Sequence, residues 1–374
     1  MIGAMGTDRG SVRWHRGGWE IRLQVDGRRV TRRVKAPNTR AGRRAAEDHL
    51  EALATSMAMG TDQMTVAELL DAYELACEST WAPSTRASYP HHAAAVIADL
   101  GDRPVGSLRS VDLDLLYGRW LAAGVAAGTV KRRHSVLSAA LRRAERWGAV
   151  AVSPARDIEA IGRSESTPPE VPDIGVAFET IAGLGHRRLQ VAAELAIATG
   201  ARRGELCGLR WRDLDSSGLS ITFTTAISVG PGGVLTRKGL KSDKPKQVAI
   251  DPATETMLAA WRKECRDAAL AAGAGRIGPG DPILASPSDP HQPWAPPQIT
   301  QAWNRHRKGT PLEAVKWHAF RHLQATYLLA QGIPVHEVAA RLGHDPVMTL
   351  RVYGHAIPAN DRRSADAIAS ARRS

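Results

Sequence analysis

Leu342-Gly-His-Asp-Pro-Val-Met-Thr-Leu-Arg-Val-Tyr-Gly-His355 reads as the end of one helix and the whole of the next. Upstream of it, Val335, Val338, Ala339 and Leu342 recur at helical spacing after Pro334, a favoured first-turn residue, and Gly343 supplies a left-handed stop. Asp345-Pro346 then reads as an N-cap and N1 pair, so a short second helix carries Tyr353 before Gly354 loosens its end. His344 falls on the break between the two helices, beside the glycine stop. Taken alone, a histidine there and a tyrosine near the end of a chain would both be ordinary structural residues.

Two earlier stretches carry chemistry of the same kind. Leu189 to Thr199 is apolar on most sides, hence a buried helix, and Gly200 ends it in C-cap fashion with Arg202 directly after the break. Glu205, three residues on, shares a helical face with Arg202; such an Arg-x-x-Glu pair is in most chains a surface contact. Further along, Trp317-His318-Ala-Phe-Arg321-His322 places His318 and Arg321 at i, i+3 on one helix. Between these stretches, Leu219 to Ile250 reads as a β-hairpin with strands at Ser220 to Ile227 and Gln247 to Ile250, and with turns at Gly230 to Gly233 and Gly239. A proline-rich loop from Pro279 to Pro297 follows, and the sequence assigns it no role.

The front of the chain has a different grain. From Ser11 to Lys35, Trp19, Ile21, Leu23 and Val25 alternate with Glu20, Arg22 and Gln24, and Asp26-Gly27 is a two-residue hairpin turn. If Val25 faces Arg28, then Gln24 faces Arg29, Arg22 faces Thr31 and Glu20 faces Arg33, giving an outer face that is basic and polar. A helix follows over about Thr39 to Leu53. A second unit opens with the capping box Thr65-x-x-Glu68, after which Val66, Leu69, Leu70 and Tyr73 fit the helical template. More helices begin near Ser84, Ser110 and Thr129. The last carries Val130, Leu137, Leu141 and Ala144 on one side and Lys131, Arg132, Arg142, Arg143 and Arg146 elsewhere. Those cations could face phosphates, although a solvated helix face would look the same. Gly162 to Pro172 is polar, proline-bearing and aperiodic, so it reads as a linker.

The 374 residues hold 50 Lys and Arg against 38 Asp and Glu, a formal charge of +12, which favours a polyanionic partner. No apolar run approaches the roughly 18 residues needed to span a bilayer, and Met1 to Thr7 lacks the hydrophobic core of an export signal, so the expectation is a cytoplasmic protein without membrane contact. Cys77, Cys207 and Cys265 stand far apart in no metal-ligand spacing, which argues against a disulfide framework or zinc site and leaves them as packing residues. The expected architecture is a multidomain α+β protein. It comprises a small three-stranded sheet plus helix, an all-helical domain, and a mostly helical domain with a β-hairpin or small sheet.

In order and spacing these segments resemble the tyrosine recombinase, or phage integrase, family. Thr199-Gly-Ala-Arg202-Arg-Gly-Glu205 resembles its first arginine box, His318-x-x-Arg321-His322 its second, and Leu342-Gly-His344 with Tyr353-Gly-His355 its nucleophile segment. Lys241, ten residues before Asp251, resembles the hairpin lysine, with Lys238 and Lys244 as rivals. Two departures are that a second arginine, Arg203, follows Arg202, and that Thr349-Leu350 stands where the family has a threonine pair.

The resemblance implies an arm-type DNA-binding domain at 1–60, a helical core-site DNA-binding domain at 63–161, a linker at 162–173 and a catalytic domain at 174–374. It implies Tyr353 as nucleophile, Arg202, Lys241, His318, Arg321 and His344 as catalytic partners, and Glu205 and His322 in support. Arg22, Arg29, Thr31, Arg33, Lys131, Arg132, Arg142 and Arg143 become candidate DNA contacts. A phosphodiester is already anionic and leaves a poor alkoxide, so the two guanidiniums would neutralise charge, Lys241 would protonate the 5′ oxygen, and His318 would take the tyrosine proton. No metal or other cofactor is needed. The implied partners are duplex attachment sites, a homotetramer on synapsed DNA with Pro358 to Ser374 packed on a neighbour, and proteins that bend DNA or set direction. Two other readings compete: a type IB topoisomerase, which the front modules argue against, and a non-catalytic architectural DNA binder.

Overall fold

The computed structural model describes residues 10–15, 18–25, 28–34, 36–58, 64–156, 158, 172–240 and 244–356. The chain divides into two compact units, Met1–Glu165 and Ser166–Ser374.

In the first unit, β1 (Ser11–His15), β2 (Gly18–Val25) and β3 (Arg28–Val34) form an antiparallel sheet in that order. The register is the one the Asp26-Gly27 turn dictates: Val25 pairs with Arg28, Gln24 with Arg29, Arg22 with Thr31 and Glu20 with Arg33. Trp19 and Ile21 point the other way and are buried with Ala46 of α1 (Arg40–Ala58). Gly42 is required at that contact, because a Cβ there would lie 2.0 Å from the Pro37 carbonyl oxygen, which accepts a 3.1 Å bond from the Trp19 indole.

Four helices follow: α2 (Val66–Cys77), α3 (Pro83–Leu100), α4 (Ser110–Ala122) and α5 (Ala127–Arg146). The capping box is reciprocal, with the Glu68 N–H donating to Thr65 Oγ1 (3.2 Å) and the Thr65 N–H to Glu68 Oε2 (2.8 Å). The apolar residues that the helical period selects, Val66, Leu69, Leu70, Val130, Leu137, Leu141 and Ala144, are all buried in one core. Tyr89 is tied into it by its hydroxyl, which donates to the Leu70 carbonyl (2.8 Å).

The second unit opens with α6 (Ile174–Ala182) and α7 (Arg187–Thr199). Most of α7 is buried, and it ends at Gly200 with φ +62°. Positive φ is one reason for glycine here; the other is that a Cβ would sit 2.0 Å from Gln324 Oε1. Then comes α8 (Arg203–Gly208), pressed so closely on the next strands that a Cβ on Gly208 would meet the Thr225 carbonyl oxygen at 2.5 Å.

The expected single hairpin is in fact two sheets. β4 (Leu214–Asp215), β5 (Ser220–Phe223) and β8 (Lys246–Ala249) form one, while β6 (Thr225–Val229) and β7 (Leu235–Gly239) form a two-stranded ribbon. The single strand expected over Ser220 to Ile227 breaks at Thr224, so β5 pairs with β8 and β6 with β7.

Next is α9 (Pro252–Ala271), capped by the Asp251 carboxylate. The proline-rich loop is packed into the core rather than hanging free: Ile283, Leu284 and Trp294 are buried, and Trp261 of α9 donates to the Ile283 carbonyl (2.8 Å). Finally come α10 (Pro296–His306), α11 (Ala319–Ala330), α12 (Val335–Leu342) and α13 (Pro346–Tyr353). Pro334 serves as the N-cap of α12, one position earlier than the N1 place expected. Gly343 ends that helix with φ +66°, and Asp345 caps α13 by accepting from the Val347 N–H (2.7 Å).

Candidate active site

Two chain breaks set the geometry. Gly200 stops α7 and Gly343 stops α12, and each stop leaves carbonyl oxygens that no later helical N–H can reach. Arg321, on the first turn of α11 and only 2 % exposed, serves both ends: Nη1 donates to the Gly200 carbonyl and Nη2 to the Leu342 carbonyl, each at 2.6 Å. Nη2 also bonds His344 Nε2 at 2.7 Å. A guanidinium has five N–H donors and no acceptor, so these three bonds leave two donors uncommitted, one on Nε and one on Nη1.

That bond also fixes the histidine. Because Arg321 can only donate, His344 Nε2 must accept, and the ring proton belongs on Nδ1. Nδ1 is buried and meets no partner among the described residues. An orphaned donor beside a buried cation is suited to an anionic oxygen.

Arg202 lies at the N-cap of α8 with its side chain 37 % exposed, while Glu205 is 4 % exposed beneath it. The carboxylate therefore makes a buried contact, unlike the surface pair such spacing commonly gives. Its Oε1 accepts from Arg202 Nη1 (2.8 Å), and its Oε2 accepts from the Arg202 backbone N–H (3.0 Å) and from Lys246 Nζ (3.2 Å). Burial works to raise the Glu205 carboxyl, but Lys246 and the bonds from Arg202 together hold it below the ordinary carboxylate range.

Lys246 is the site residue that the sequence reading missed. It enters at the start of β8, 9 % exposed, with its ammonium 4.5 Å from the Phe223 ring centroid. The signal was present: Val248 and Ile250 face inward, and a strand's period of two sends Lys246 to the same side. Of the hairpin lysines, Lys241 lies outside the described residues, Lys238 is exposed on β7, and Lys244 is exposed ahead of β8.

Tyr353 ends α13 and is 2 % exposed, packed with Ala325, Leu329, Val338 and Leu342. Burial pushes its phenol up, and Arg321 opposes that shift. The His322 ring lies 5.4 Å from the tyrosine ring between centroids, and His322 in turn meets His318 edge-on at 5.1 Å. His318 is the N-cap of α11, and the charge that acts most strongly on its imidazole is that of Arg321, three residues on. Burial, then His318 and Arg321, bring His322 down to about 4. Burial followed by Arg321 does the same for His344, also to about 4, and lowers His318. All three rings are thus neutral at pH 7.

Beside His318 opens a cavity of about 410 Å³ lined by Arg203, Thr300, Asn304, Arg307, Lys316 and Trp317. Arg203 reaches Thr300 Oγ1 there, whereas Arg202 is bonded to Glu205. Among the described residues no group of three or more His, Cys, Asp and Glu is placed to hold a metal ion, and no helix is long and apolar enough to cross a membrane.

The other candidate contacts are dispersed. On α5, Lys131, Arg132 and Arg142 are exposed, while Arg143 lies over the Trp147 ring at 5.5 Å. On the N-terminal sheet Arg22 is paired with Glu20 and Thr31 is exposed; Arg29 and Arg33 are placed by backbone register opposite Gln24 and Glu20. Pro358 to Ser374 lie outside the described residues.

Comparison with known proteins bears on this geometry. The model of the phage integrase family matches residues 168–359. The chain is 23 % identical over 338 residues to a XerC-like tyrosine recombinase of Caldanaerobacter subterraneus subsp. tengcongensis, covering 83 % of this chain and 84 % of that protein. It is 26 % identical over 275 residues to the integrase of Escherichia phage HK022, covering 71 % and 69 %. Among solved structures, the Tn1549 transposon integrase in complex with a circular intermediate DNA superposes with a TM-score of 0.68 at 19 % identity, covering 81 % of this chain and 99 % of that one. A lambda integrase tetramer bound to a Holliday junction gives 0.53 at 19 %, covering 89 % and 95 %.

Proposed function

The chain belongs to the phage integrase family and is a tyrosine recombinase, and from that premise we propose that it cleaves and rejoins DNA at attachment sites through Tyr353. The observation that carries the assignment of residues is the convergence of Arg202 and Glu205 from α8, Arg321 from α11, Tyr353 from α13 and His344 from the turn between α12 and α13 on the ends of α7 and α12.

In the proposed reaction the Tyr353 oxygen attacks phosphorus. The Tyr–O–P bond forms, the P–O5′ bond breaks, and the phosphate is left on the tyrosine as a 3′-phosphotyrosyl ester. The two uncommitted donors of Arg321, the exposed fork of Arg202 and the orphan Nδ1–H of His344 serve the non-bridging oxygens. The phenol proton passes to the neutral His318–His322 pair, and Lys241 gives a proton to the 5′ oxygen. A 5′ hydroxyl from a partner duplex then reverses these steps, so rejoining draws only on the energy held in the ester. With Tyr353 2 % exposed, α13 must shift before the phenol can reach phosphorus.

The sheet of residues 1–60, the helices of 63–161 and the catalytic part at 174–374 act as arm-site, core-site and cleavage domains. Lys131, Arg132, Arg142 and Arg143, with Arg22, Arg29, Thr31 and Arg33 on the sheet, contact DNA. The working form is a homotetramer on two synapsed sites, helped by proteins that bend DNA or set direction, and the natural task is integration or excision of a mobile element. The tetramer is supported by similarity to the lambda integrase assembled on a Holliday junction.

The test is a nicked suicide duplex drawn from DNA flanking the protein's own coding sequence. Wild type should give a covalent complex that survives denaturation, and Tyr353→Phe should give none while still binding DNA. A wild type that binds the site without forming the complex would make the protein an architectural binder. Cleavage with relaxation but no exchange between paired sites would make it a topoisomerase.

A further inference from the structure

We propose that Lys246 is a positioning residue for cleavage: bonded to the buried Glu205 carboxylate, it fixes the acceptor that aims the Arg202 guanidinium at the scissile phosphate. The inference rests on the recombinase reading and deepens it.

Glu205 stands between two cations. Arg202 reaches it from the solvent side with one guanidinium bond and one backbone bond, and Lys246 reaches Oε2 from the protein side at 3.2 Å. Without Lys246, a 4 % exposed carboxylate would be left with Arg202 as its one cationic partner. It could then take up a proton or draw the guanidinium inward, and either outcome disorders the donor that faces phosphate. Lys246 is held on its other sides too. Its ammonium sits over Phe223 of β5, and its Cδ is 3.5 Å from where a Cβ on Gly343 would lie, so it abuts the turn that presents His344. Arg321 and Arg202 both repel it, and it depresses His344 in turn.

This geometry separates Lys246 from the acid of the reaction. Its Nζ is committed to a carboxylate and shielded from solvent, whereas the acid must reach the 5′ oxygen on DNA. Burial, opposed by Glu205, brings its pKa down to about 8. The positive form that completes the Lys246–Glu205–Arg202 chain is therefore lost as pH rises through that value. The charged groups facing it are Glu205 and Arg202 at the start of α8, Arg321 on α11 and His344 after α12.

The experiment measures single-turnover cleavage at saturating DNA for wild type, Lys246→Met, Lys246→Arg and Lys241→Ala. Each is assayed on the ordinary suicide duplex and on one with sulfur in place of the bridging 5′ oxygen, a leaving group that needs no proton. Lys246→Met should cut about 100-fold more slowly with DNA affinity changed less than threefold. Sulfur should not rescue it, although it rescues Lys241→Ala, and Lys246→Arg should recover most of the rate. On the sulfur substrate wild type should lose cleavage above about pH 8 and Lys246→Arg should not.

Rescue of Lys246→Met by sulfur would make Lys246 the acid and overturn the proposal, as would a Met variant that cuts at the wild-type rate. If Lys246→Met does not fold, Lys246→Arg decides: slow cutting by a variant with wild-type melting behaviour overturns it, and retained cutting with the alkaline loss removed supports it. Failure of wild type to form any covalent complex would instead sink the recombinase reading itself.

Discussion

The cations of α5 and those of the candidate active site are the same residue types put to opposite uses. Lys131, Arg132 and Arg142 project from one helix into solvent, each independent of the others. Arg202, Arg321 and Lys246 come from distant parts of the chain, and each is bonded to protein groups that another of them also touches or borders. Exposed charges add up: each phosphate neutralised contributes a similar increment to affinity and is screened by salt. Buried charges interlock, so removing one leaves its partners unpaired, and the cost exceeds the worth of any single bond.

The largest effect that would sharpen this contrast is expected from Arg321→Lys. A lysine is a point charge that cannot span the Gly200 and Leu342 carbonyls while holding His344. Cleavage should fall by about 10²- to 10³-fold, the order of losing an oxyanion donor, and each carbonyl left unpaired should cost about 1–3 kcal/mol. Single-turnover cleavage and thermal unfolding read the two losses, and near-normal values of both would break the interlocking picture. Next is Gly200→Ala, which meets positive φ and the Gln324 amide together. A loss of about 2 kcal/mol or more is expected in denaturant unfolding, with slower cleavage because Arg321 is anchored there.

Acid should also loosen the cluster. His322 and His344 lie at about 4 in the fold, below the ordinary value near 6.5. Between those values the unfolded chain binds more protons, so the stability they lend is complete above about pH 6.5 and drains away as pH falls toward about 4. Melting temperature followed from pH 7 to pH 4 should decline, less so in His322→Gln. The smallest effects belong to α5. Lys131→Ala and Arg132→Ala should each weaken DNA binding a few-fold and flatten the dependence of log affinity on log salt by about 0.9, with cleavage at saturating DNA little altered. If either abolished cleavage at saturation, the division between additive and interlocked charge would fail.

Local rules made much of this legible. The capping box at Thr65, the β2–β3 register and the glycine stops at Gly200 and Gly343 follow from short-range chemistry, and each appears where that chemistry puts it. What stayed hidden depends on long-range packing. Nothing local says that β5 breaks at Thr224 and leaves β6 to a ribbon of its own, or that the loop from Pro279 is core. Lys246 is intermediate: strand alternation turned it inward, but only the fold put Glu205 opposite. His322 is similar, since a second histidine after Arg321 means little until α13 brings Tyr353 against it.

One consequence of Arg321 reaches beyond the reaction. A nuclease that acts while half-folded is a hazard to the genome that encodes it. Here one side chain ties together chain segments 121 and 21 residues from it in sequence. A molecule in which either segment has come loose has therefore also lost the alignment of the guanidinium proposed to clamp phosphate. Under the proposed reaction, cutting competence is coupled to structural integrity, so that damage to the protein disarms it before it can damage DNA.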